Sequence, residues 1–507
     1  MSMFEVFFVL LKVLVALFAF RCVWVYSYRL LLHPLHSYPG PFIAKFTDWY
    51  GAYHAIRMRL HIATYNDHLK YGTVFRQGPN KLVFGSVLAL HDILENSRLS
   101  KTKAYGATQP TPEVFNLLNV LDKQLHRTKR RIIGQGLNER AMRRFEPVMH
   151  EQVRIFLQQL AKASQNKEVT DMSQKCGWLG LDISGEIGFG HGFDLQTKET
   201  NRWMPIGIWT SSRRLNVYLQ FPGIRYIGWE KLFMPIIFPK VRRFHRLLRD
   251  MIRVRLEEDL HSRPDIFSSI HDYKDPDTGK SMGKEELWSE SAFLLPAGGD
   301  TTASLLAASF FYLSRYPKTY ERLANEIRET FSSAEEINNG PTLAGCSFLR
   351  AFIQETLRIS PSANMTLWRD LPADAAVNPV VIDGHVIPPG TTIGVNIYSY
   401  FPEPNIHKPT RWIREESNAT EDEWKTQNEA FTPFSLGSRN CAGKAVVYAE
   451  VPLVLAKTLW HFDFDKVDGE NEGENPTFQM YDQITSRHAG PLLRFRLRSN
   501  TGLDPVQ

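Results

Sequence analysis

The chain has 507 residues, 43% of them hydrophobic, so it is long enough to bury a large core. Its 60 basic and 54 acidic residues give a net charge of +6, too small to indicate a nucleic-acid-binding protein but suited to anionic lipid or an acidic protein partner. The four cysteines, Cys22, Cys176, Cys346 and Cys441, are widely spaced, which argues against a disulfide framework or a zinc site and favours a reducing compartment.

Residues 4–26 form a nearly unbroken apolar run, interrupted inside by Lys12. The run is long enough for a transmembrane helix of about 20 residues. A cleaved signal peptide is the alternative, but no basic residue precedes the run and no small-residue cleavage site follows it. Arg21, Arg29 and Lys45 lie towards or beyond its C-terminal end, so the positive-inside rule predicts that the rest of the chain faces the cytosol.

Prolines follow the apolar run at Pro34, Pro39 and Pro41 and predict a stiff connection. Beyond them the sequence shows no internal repeat and no linker rich in proline, glycine or serine. We therefore expect an anchor at residues 1–32, a proline-rich hinge at 33–41 and one large domain at 42–507.

Two segments in the first half of the large domain allow more than one interpretation. Residues 121–135 predict a strongly basic helix that contains His126 and Arg130, and such a helix is either a solvated face or a clamp for carboxylates. Residues 203–239 are rich in aromatic side chains and are broken by prolines. This segment is either ordinary helix core or a mobile roof that touches a membrane and admits apolar molecules.

Residues 285–315 predict one long apolar helix that is weakened near its middle. Pro296, Gly298 and Gly299 favour a local distortion there, and Asp300 and Thr301 follow directly. The distortion would open a groove with free carbonyls and a hydroxyl. The alternative is that the Asp–Thr pair only closes a helix kink.

Charged residues recur in the second half at spacings that predict ion pairs. Glu355 and Arg358 lie on one face of a predicted helix, although Glu151 and Arg154 show the same spacing without special context. A strand-like stretch at 380–398 follows, and after it comes Arg411 within Pro-Thr-Arg-Trp.

Cys441 lies in a loop, Phe434-Ser-Leu-Gly-Ser-Arg-Asn-Cys-Ala-Gly443, at a junction with an apolar helix. The glycines allow close backbone approach, so peptide N–H groups can point at the sulfur. These groups, the charge of Arg439 and the helix N-terminus all favour a thiolate. A buried structural cysteine is the less specific alternative.

These motifs, in this order, resemble the cytochrome P450 family. The segment 434–443 matches every fixed position of the family's haem-binding signature, Phe-x-x-Gly-x-Arg-x-Cys-x-Gly. The resemblance extends from about Tyr38 onwards. It implies a mainly α fold with small β-sheets, preceded by one N-terminal transmembrane helix.

The resemblance also implies roles for individual residues. Cys441 would be the axial thiolate ligand of a haem iron, which favours O–O cleavage. The haem would be haem b, iron protoporphyrin IX, and the remaining cofactor-binding positions would be Phe434, Gly437, Arg439, Gly443, Arg130, His126 and Arg369. Arg130, His126 and Arg369 would contact haem propionates, with His126 in place of the family's tryptophan.

In the central helix, the resemblance implies that Thr301 hydrogen-bonds dioxygen and that Asp300 relays protons to it. Glu355, Arg358 and Arg411 would form a buried structural network and take no part in the chemistry.

The activity so implied is a monooxygenase that uses O2 and two electrons. Gly188, Gly190 and Gly192 have the wrong spacing for a dinucleotide fingerprint, so the electrons would come from NADPH through a separate membrane-bound cytochrome P450 reductase. The hinge and the central helix resemble those of fungal family members of secondary metabolism. This resemblance implies a hydrophobic substrate that is a terpenoid, a polyketide or an alkaloid. It also implies contact with membrane lipid in the endoplasmic reticulum, and no nucleic-acid partner.

Two alternatives stay open from sequence. One is a haem-thiolate isomerase, dehydratase or ring-forming oxidase without net oxygen insertion, although such members often lack the threonine found here at Thr301. The other is a non-catalytic haem-binding sensor or membrane-bound carrier, which would not require an Asp–Thr pair in a weakened helix.

Overall fold

The structure is a computed structural model that describes residues 3–109, 111–224, 230–259, 263, 265–271, 273–274, 279, 281–399, 406–467, 476–499 and 502–503. Part of the predicted roof, residues 225–229, therefore lies outside the described residues.

The N-terminal helix α1, Met3–Leu31, has no buried residue and is long and apolar enough to cross a membrane. This confirms the predicted apolar helix. Its end is tied to the rest of the chain, because Arg29 donates to the carbonyl of Phe46. The buried guanidinium of Arg76 donates to the carbonyls of Arg29 (3.1 Å) and Pro79 (2.7 Å).

Helices make up most of the remaining chain. In chain order they are α2 (Trp49–Ile56), α3 (Leu60–Tyr71), α4 (Val87–Leu94), α5 (Lys123–Gly136), α6 (Glu139–Gln165), α7 (Met172–Phe189), α8 (Met204–Gln220), α9 (Glu230–Glu257), α10 (Ile266–His271), α11 (Lys284–Arg315), α12 (Pro317–Thr330), α13 (Pro341–Gly345), α14 (Ser347–Ile359), α15 (Glu421–Ala430) and α16 (Lys444–His461).

The strands are short. They are β1 (Val74–Gly78), β2 (Lys81–Phe84), β3 (Ser100–Lys101), β4 (Thr170–Asp171), β5 (Leu367–Asp370), β6 (Val380–Ile382), β7 (His385–Ile387), β8 (Thr392–Val395), β9 (Phe462–Lys466), β10 (Met480–Tyr481), β11 (Arg487–His488) and β12 (Leu492–Leu497). The predicted class, mainly helical with small sheets, is confirmed.

The largest sheet has five strands in the order β1-β2-β8-β5-β3. Strand β2 pairs with β8 in parallel, and the other neighbours are antiparallel. The register of β3 and β5 places Lys101 opposite Arg369, which brings two cations to one end of the sheet. The smaller sheets have the orders β4-β12-β9, β6-β7 and β10-β11.

Helix α11 runs through the main core and packs most extensively against α7. The two backbones approach very closely where glycines meet. A Cβ atom added to Gly180 would lie 2.4 Å from the carbonyl oxygen of Gly299. The weakened stretch of α11 also receives a bond from α7, since Ser184 Oγ donates to the carbonyl of Leu295, one residue before Pro296, at 2.9 Å.

Candidate active site

The cysteine loop forms a tight turn that ends at the first residue of α16. The amide of Cys441 donates to the carbonyl of Phe434 at 2.8 Å, closing the loop. Gly437 has φ +68°, and a Cβ there would lie 2.3 Å from the carbonyl oxygen of Leu94, so glycine is required at this position. The ring of Phe434 packs against that of Tyr448 with centroids 5.5 Å apart.

The surroundings of the Cys441 sulfur act on its pKa in both directions. Burial raises the pKa of the thiol, and this is the largest effect. The amides of Gly443 and Lys444, which hydrogen-bond the sulfur, and the charges of Arg130 and Lys444 lower it. The loop therefore supplies the predicted N–H donors, and a metal ion at the sulfur would favour the thiolate further.

Arg130 holds the loop from α5. Its guanidinium donates to the carbonyl of Asn440 (2.6 Å), to the side-chain oxygen of Asn440 (2.7 Å) and to the carbonyl of Cys441 (3.2 Å). Asp122 caps the helix by accepting from the amide of Leu125, which fixes the start of α5. Arg439, in turn, donates to the carbonyls of Val120 and Leu121.

A cluster of basic side chains lies in the same cavity as the Cys441 sulfur. We call it the cation cluster; its members are Lys101, His126, Arg130, Arg369 and Arg439. Burial lowers the pKa of every member, and repulsion between members adds to the effect for Lys101, His126 and Arg439. The pKa of His126 falls to about 3, which makes its ring neutral near pH 7.

Within the described part of the chain, no carboxylate forms an ion pair with Lys101, Arg130, Arg369 or Arg439. Their polar atoms instead donate to the carbonyls of Leu118, Asn440, Trp368 and Val120. The charge of Asp122 raises the pKa of Arg439, but no ion pair joins these two side chains among the described residues. Buried charges are normally paired, so the cluster is arranged to receive anionic groups from a bound molecule.

The cavity has a volume of about 330 Å³ and is lined mostly by apolar side chains of α7, α10, α11 and β5. The structure brings together there most of the predicted site: Cys441, Phe434, Gly443, Arg439, Arg130, His126, Arg369 and Thr301. Of the remaining predictions, Gly437 lies behind the loop against Leu94, and Asp300 does not line the cavity.

Thr301 and Asp300 differ in where they point. The Thr301 hydroxyl donates to the carbonyl of Ala297 within α11 at 2.7 Å, and Thr301 lines the cavity. Asp300 is buried outside it, accepting from Trp209 Nε1 at 2.9 Å and from the Thr485 hydroxyl. Burial raises the pKa of Asp300, while these two hydrogen bonds lower it.

Glu355 is fully buried beneath the site. It accepts from Arg358 Nε (2.9 Å), Arg411 Nε (3.0 Å) and Trp412 Nε1 (2.8 Å), and from the amide of Lys408 (2.8 Å). Although burial opposes the charge, the hydrogen bond and charge of Arg358 hold the pKa of Glu355 below its usual range. The three predicted residues therefore form one network.

The chain matches the cytochrome P450 family model over residues 59–488, most of its length. The chain belongs to the cytochrome P450 family.

Fungal relatives extend the match over nearly the whole chain. The cytochrome P450 monooxygenase atnE of Emericella nidulans is 34% identical, over 96% of both chains. The cytochrome P450 monooxygenase apf7 of Gibberella fujikuroi is 33% identical, over 93% of this chain and 95% of its own. The corresponding poxM of Penicillium oxalicum is 33% identical, over 92% and 91%. This cytochrome P450 is thus an enzyme of the monooxygenase class.

The haem that the family carries fits the residues present in this cytochrome P450. Haem has two propionates, and the cation cluster offers buried donors without a protein carboxylate to satisfy them. One thiol, held by peptide N–H donors, faces the same cavity.

Sequence reasoning missed Lys101 and Trp209 in this cytochrome P450. Lys101 is a single basic residue in a two-residue strand, and only the pairing of β3 with β5 places it beside Arg369. Trp209 is separated from Asp300 by 91 residues, so no local spacing indicates their contact.

Proposed function

We propose that this cytochrome P450 is a haem-thiolate monooxygenase that inserts one oxygen atom from O2 into a hydrophobic small molecule in a pathway of secondary metabolism. The observation that carries the proposal is the cation cluster, with Arg369 and His126 buried, beside the Cys441 thiol in one cavity. The largely apolar cavity supports a hydrophobic substrate, and the fungal relatives support a fungal biosynthetic context, with a terpenoid, polyketide or alkaloid as the class.

Each part of the cavity has a chemical task in this proposal. Bound haem b supplies the reduction and cleavage of dioxygen. Cys441 would provide the sulfur that holds the haem iron, and the amides of Gly443 and Lys444 would stabilise its negative charge. Lys101, His126, Arg130, Arg369 and Arg439 would bind the propionates through their N–H groups.

Protons would pass along α11. The overall reaction consumes substrate, O2, NADPH and one proton and gives hydroxylated product, water and NADP⁺. The Thr301 hydroxyl holds a proton in the cavity, and once that proton is used Asp300 supplies another. If Asp300 and Thr301 do not deliver protons, O2, NADPH and a proton yield hydrogen peroxide and NADP⁺. A threonine in the cavity favours a monooxygenase over an isomerase or dehydratase.

Electrons would come from NADPH through the membrane-bound NADPH–cytochrome P450 reductase. A groove of about 860 Å³ lies beside α16, the helix that follows Cys441, and its lining includes Arg143, Arg350 and Lys444. Glu139 and Glu146 also line the groove, so its net charge is weakly positive. This supports docking of an acidic partner surface.

The location that we propose is the endoplasmic reticulum membrane, with residues 1–32 as a single-pass anchor, 33–41 as the hinge and 42–507 as a cytosolic catalytic domain. The apolar helix α1, which has no buried residue, supports this assignment.

The first test is spectroscopic. Reduced full-length protein under carbon monoxide is expected to show the red-shifted Soret band of thiolate ligation, and Cys441→Ala is expected to lose it. Cys346→Ala, which removes a buried thiol outside the haem cavity, is the matched control and should keep the band. A Cys441→Ala protein that kept the band would overturn the proposal.

The second test follows electrons. With reductase and NADPH, a panel of lipophilic compounds should include some that stimulate NADPH consumption, and comparison of metabolites in hosts with and without the chain should identify the product. Thr301→Ala should divert consumption to peroxide, and Thr301→Ser, which keeps the hydroxyl, should restore coupling. Unchanged coupling in Thr301→Ala would remove Thr301 from the mechanism.

A further inference from the structure

The carboxyl group of Asp300 is held by two donors from outside its own helix. Trp209 on α8 donates to Oδ1 at 2.9 Å, and Thr485 donates to Oδ2. Asp300 is only 8% exposed, so water does not compete strongly for either oxygen. Both oxygens are therefore engaged on the side of α11 that faces away from the cavity.

The two donors belong to elements that are themselves fixed. The guanidinium of Arg487 lies 4.9 Å from the centroid of a Trp209 ring. The segment that carries Thr485 is joined to the residues after α14, because Ser486 donates through its amide to Ser362 and through its hydroxyl to Pro361. The Asp300 carboxyl thus lies at a junction of α8, α11 and the C-terminal segment.

This junction separates Asp300 from Thr301. The Thr301 hydroxyl lines the cavity and donates to Ala297, while Ser362 Oγ donates to the Thr301 carbonyl at 2.8 Å. No hydrogen bond joins the two side chains among the described contacts of Asp300, which are those to Trp209 and Thr485. Direct transfer of a proton from the Asp300 carboxyl to the Thr301 hydroxyl therefore requires the carboxyl to leave at least one of its two donors.

We propose that Trp209 and Thr485 are positioning residues that hold the Asp300 carboxyl away from the cavity and so limit proton delivery to Thr301. The inference rests on the proposed roles of Asp300 and Thr301. Opening of either contact frees one carboxyl oxygen, which can then carry a proton to the Thr301 hydroxyl and be reprotonated from solvent. The position of α8 thereby controls how readily protons reach the cavity.

The test uses the full-length enzyme with haem, reductase and NADPH and without added substrate. Under these conditions O2 with one NADPH and one proton gives peroxide, and O2 with two NADPH and two protons gives two waters and two NADP⁺. The ratio of O2, NADPH and peroxide then reports proton delivery, and the solvent isotope effect on NADPH consumption is measured in parallel.

Trp209→Phe keeps an aromatic ring but removes the N–H donor. We expect the share of water to rise severalfold and the solvent isotope effect to fall, since loss of one hydrogen bond to a carboxylate shifts such an equilibrium by roughly tenfold. Thr485→Val should act in the same direction through the other oxygen, and Thr485→Ser should restore the original ratio. General damage to the site would instead increase peroxide.

Trp203→Phe is the matched control. Trp203 lies at the start of α8 and packs against Arg243, and in the part of the chain that the structure describes its Nε1 has no hydrogen-bond partner. The substitution Trp203→Phe is expected to leave the ratio of O2, NADPH and peroxide unchanged. If Trp209→Phe and Thr485→Val behaved like Trp203→Phe, or increased peroxide, while Asp300→Asn raised peroxide, the positioning role would be overturned and the proposed function would stand. If Asp300→Asn and Thr301→Ala also left the ratio unchanged, the positioning role and the proposed roles of Asp300 and Thr301 would fall together.

Discussion

Glu355 shows at the scale of one residue how a buried charge is stabilised. Five hydrogen bonds from four residues converge on its carboxylate, two of them from Arg358. The same i, i+3 spacing at Glu151 and Arg154 gives an ion pair whose side chains are half exposed. The i, i+3 spacing predicted both ion pairs, but only the Glu355–Arg358 pair is buried, and burial is what makes its loss costly for stability.

The substitution Glu355→Gln should therefore destabilise the enzyme strongly. A glutamine would keep the shape but leave Arg358 buried without its counter-charge, at a cost of about 3–5 kcal/mol in the free energy of unfolding. Glu151→Gln, the matched surface change, should cost under about 1 kcal/mol. Urea denaturation followed by loss of the Soret band measures both; equal effects would contradict the buried network as the reason.

His407 next to this network should make stability depend on pH. Burial lowers its pKa to about 3: the ring stacks on Tyr312 with centroids 4.5 Å apart, and neither ring nitrogen has a hydrogen-bond partner among the described residues. The folded pKa lies below the unfolded value of about 6.5, so the unfolded chain binds the proton first. The stability from a neutral His407 is complete above about pH 6.5 and is lost as the pH falls towards 3.

His407→Phe should reduce that dependence. Between pH 6 and 5 the wild-type enzyme should lose up to about 1.4 kcal/mol per pH unit from this one group. The variant should show a slope smaller by about one proton, measured by urea denaturation at several pH values. A slope that did not change would mean that His407 takes up a proton in the folded state.

At the scale of elements, the contact between α7 and α11 places the reactive part of the central helix. Gly180 and Gly299 allow backbone-to-backbone contact beside Asp300, and Ser184 satisfies a carbonyl next to Pro296. The sequence predicted a weakened central helix from Pro296 and the glycines, but not its partner. A glycine in α7 does not indicate which distant helix will pack against it.

Gly180→Ala should displace the two helices. The new methyl group would lie 2.4 Å from the carbonyl oxygen of Gly299, and overpacking of this kind costs about 1–3 kcal/mol. Gly177→Ala is the control in the same helix, since nothing lies within 4 Å of its added Cβ; it should stabilise by up to about 1 kcal/mol through helix propensity. Thermal unfolding distinguishes the two, and destabilisation by both would point to α7 itself.

The predictable and unpredictable parts of the site differ for a physical reason. The cysteine loop and the Glu355–Arg358 pair are short-range patterns whose chemistry is visible in consecutive residues. Lys101 beside Arg369 and Trp209 on Asp300 depend on strand register and helix packing across long separations. The N–H donors to the Cys441 sulfur, which the loop sequence predicted, are present in the structure.

For the whole molecule, α1 and the catalytic domain have separate requirements for folding. No residue of α1 is buried, and near its C-terminal end Tyr26 and Arg29 both contact Phe46 of the domain. Deletion of residues 3–25 should move the protein from the membrane pellet to the supernatant and leave the carbon monoxide spectrum intact. A truncated chain that still sedimented with membranes would show that the domain itself binds lipid.

The cation cluster links cofactor supply to the amount of enzyme that a cell can keep. Its cations repel one another. If the haem propionates are their counter-ions, as we propose, haem is a ligand of the native state and stabilises it by mass action. A host short of porphyrin would accumulate less of this chain, however strongly its message is expressed, because proteases remove the fraction that has not captured haem. Abundance, as well as activity, would then report the porphyrin pool.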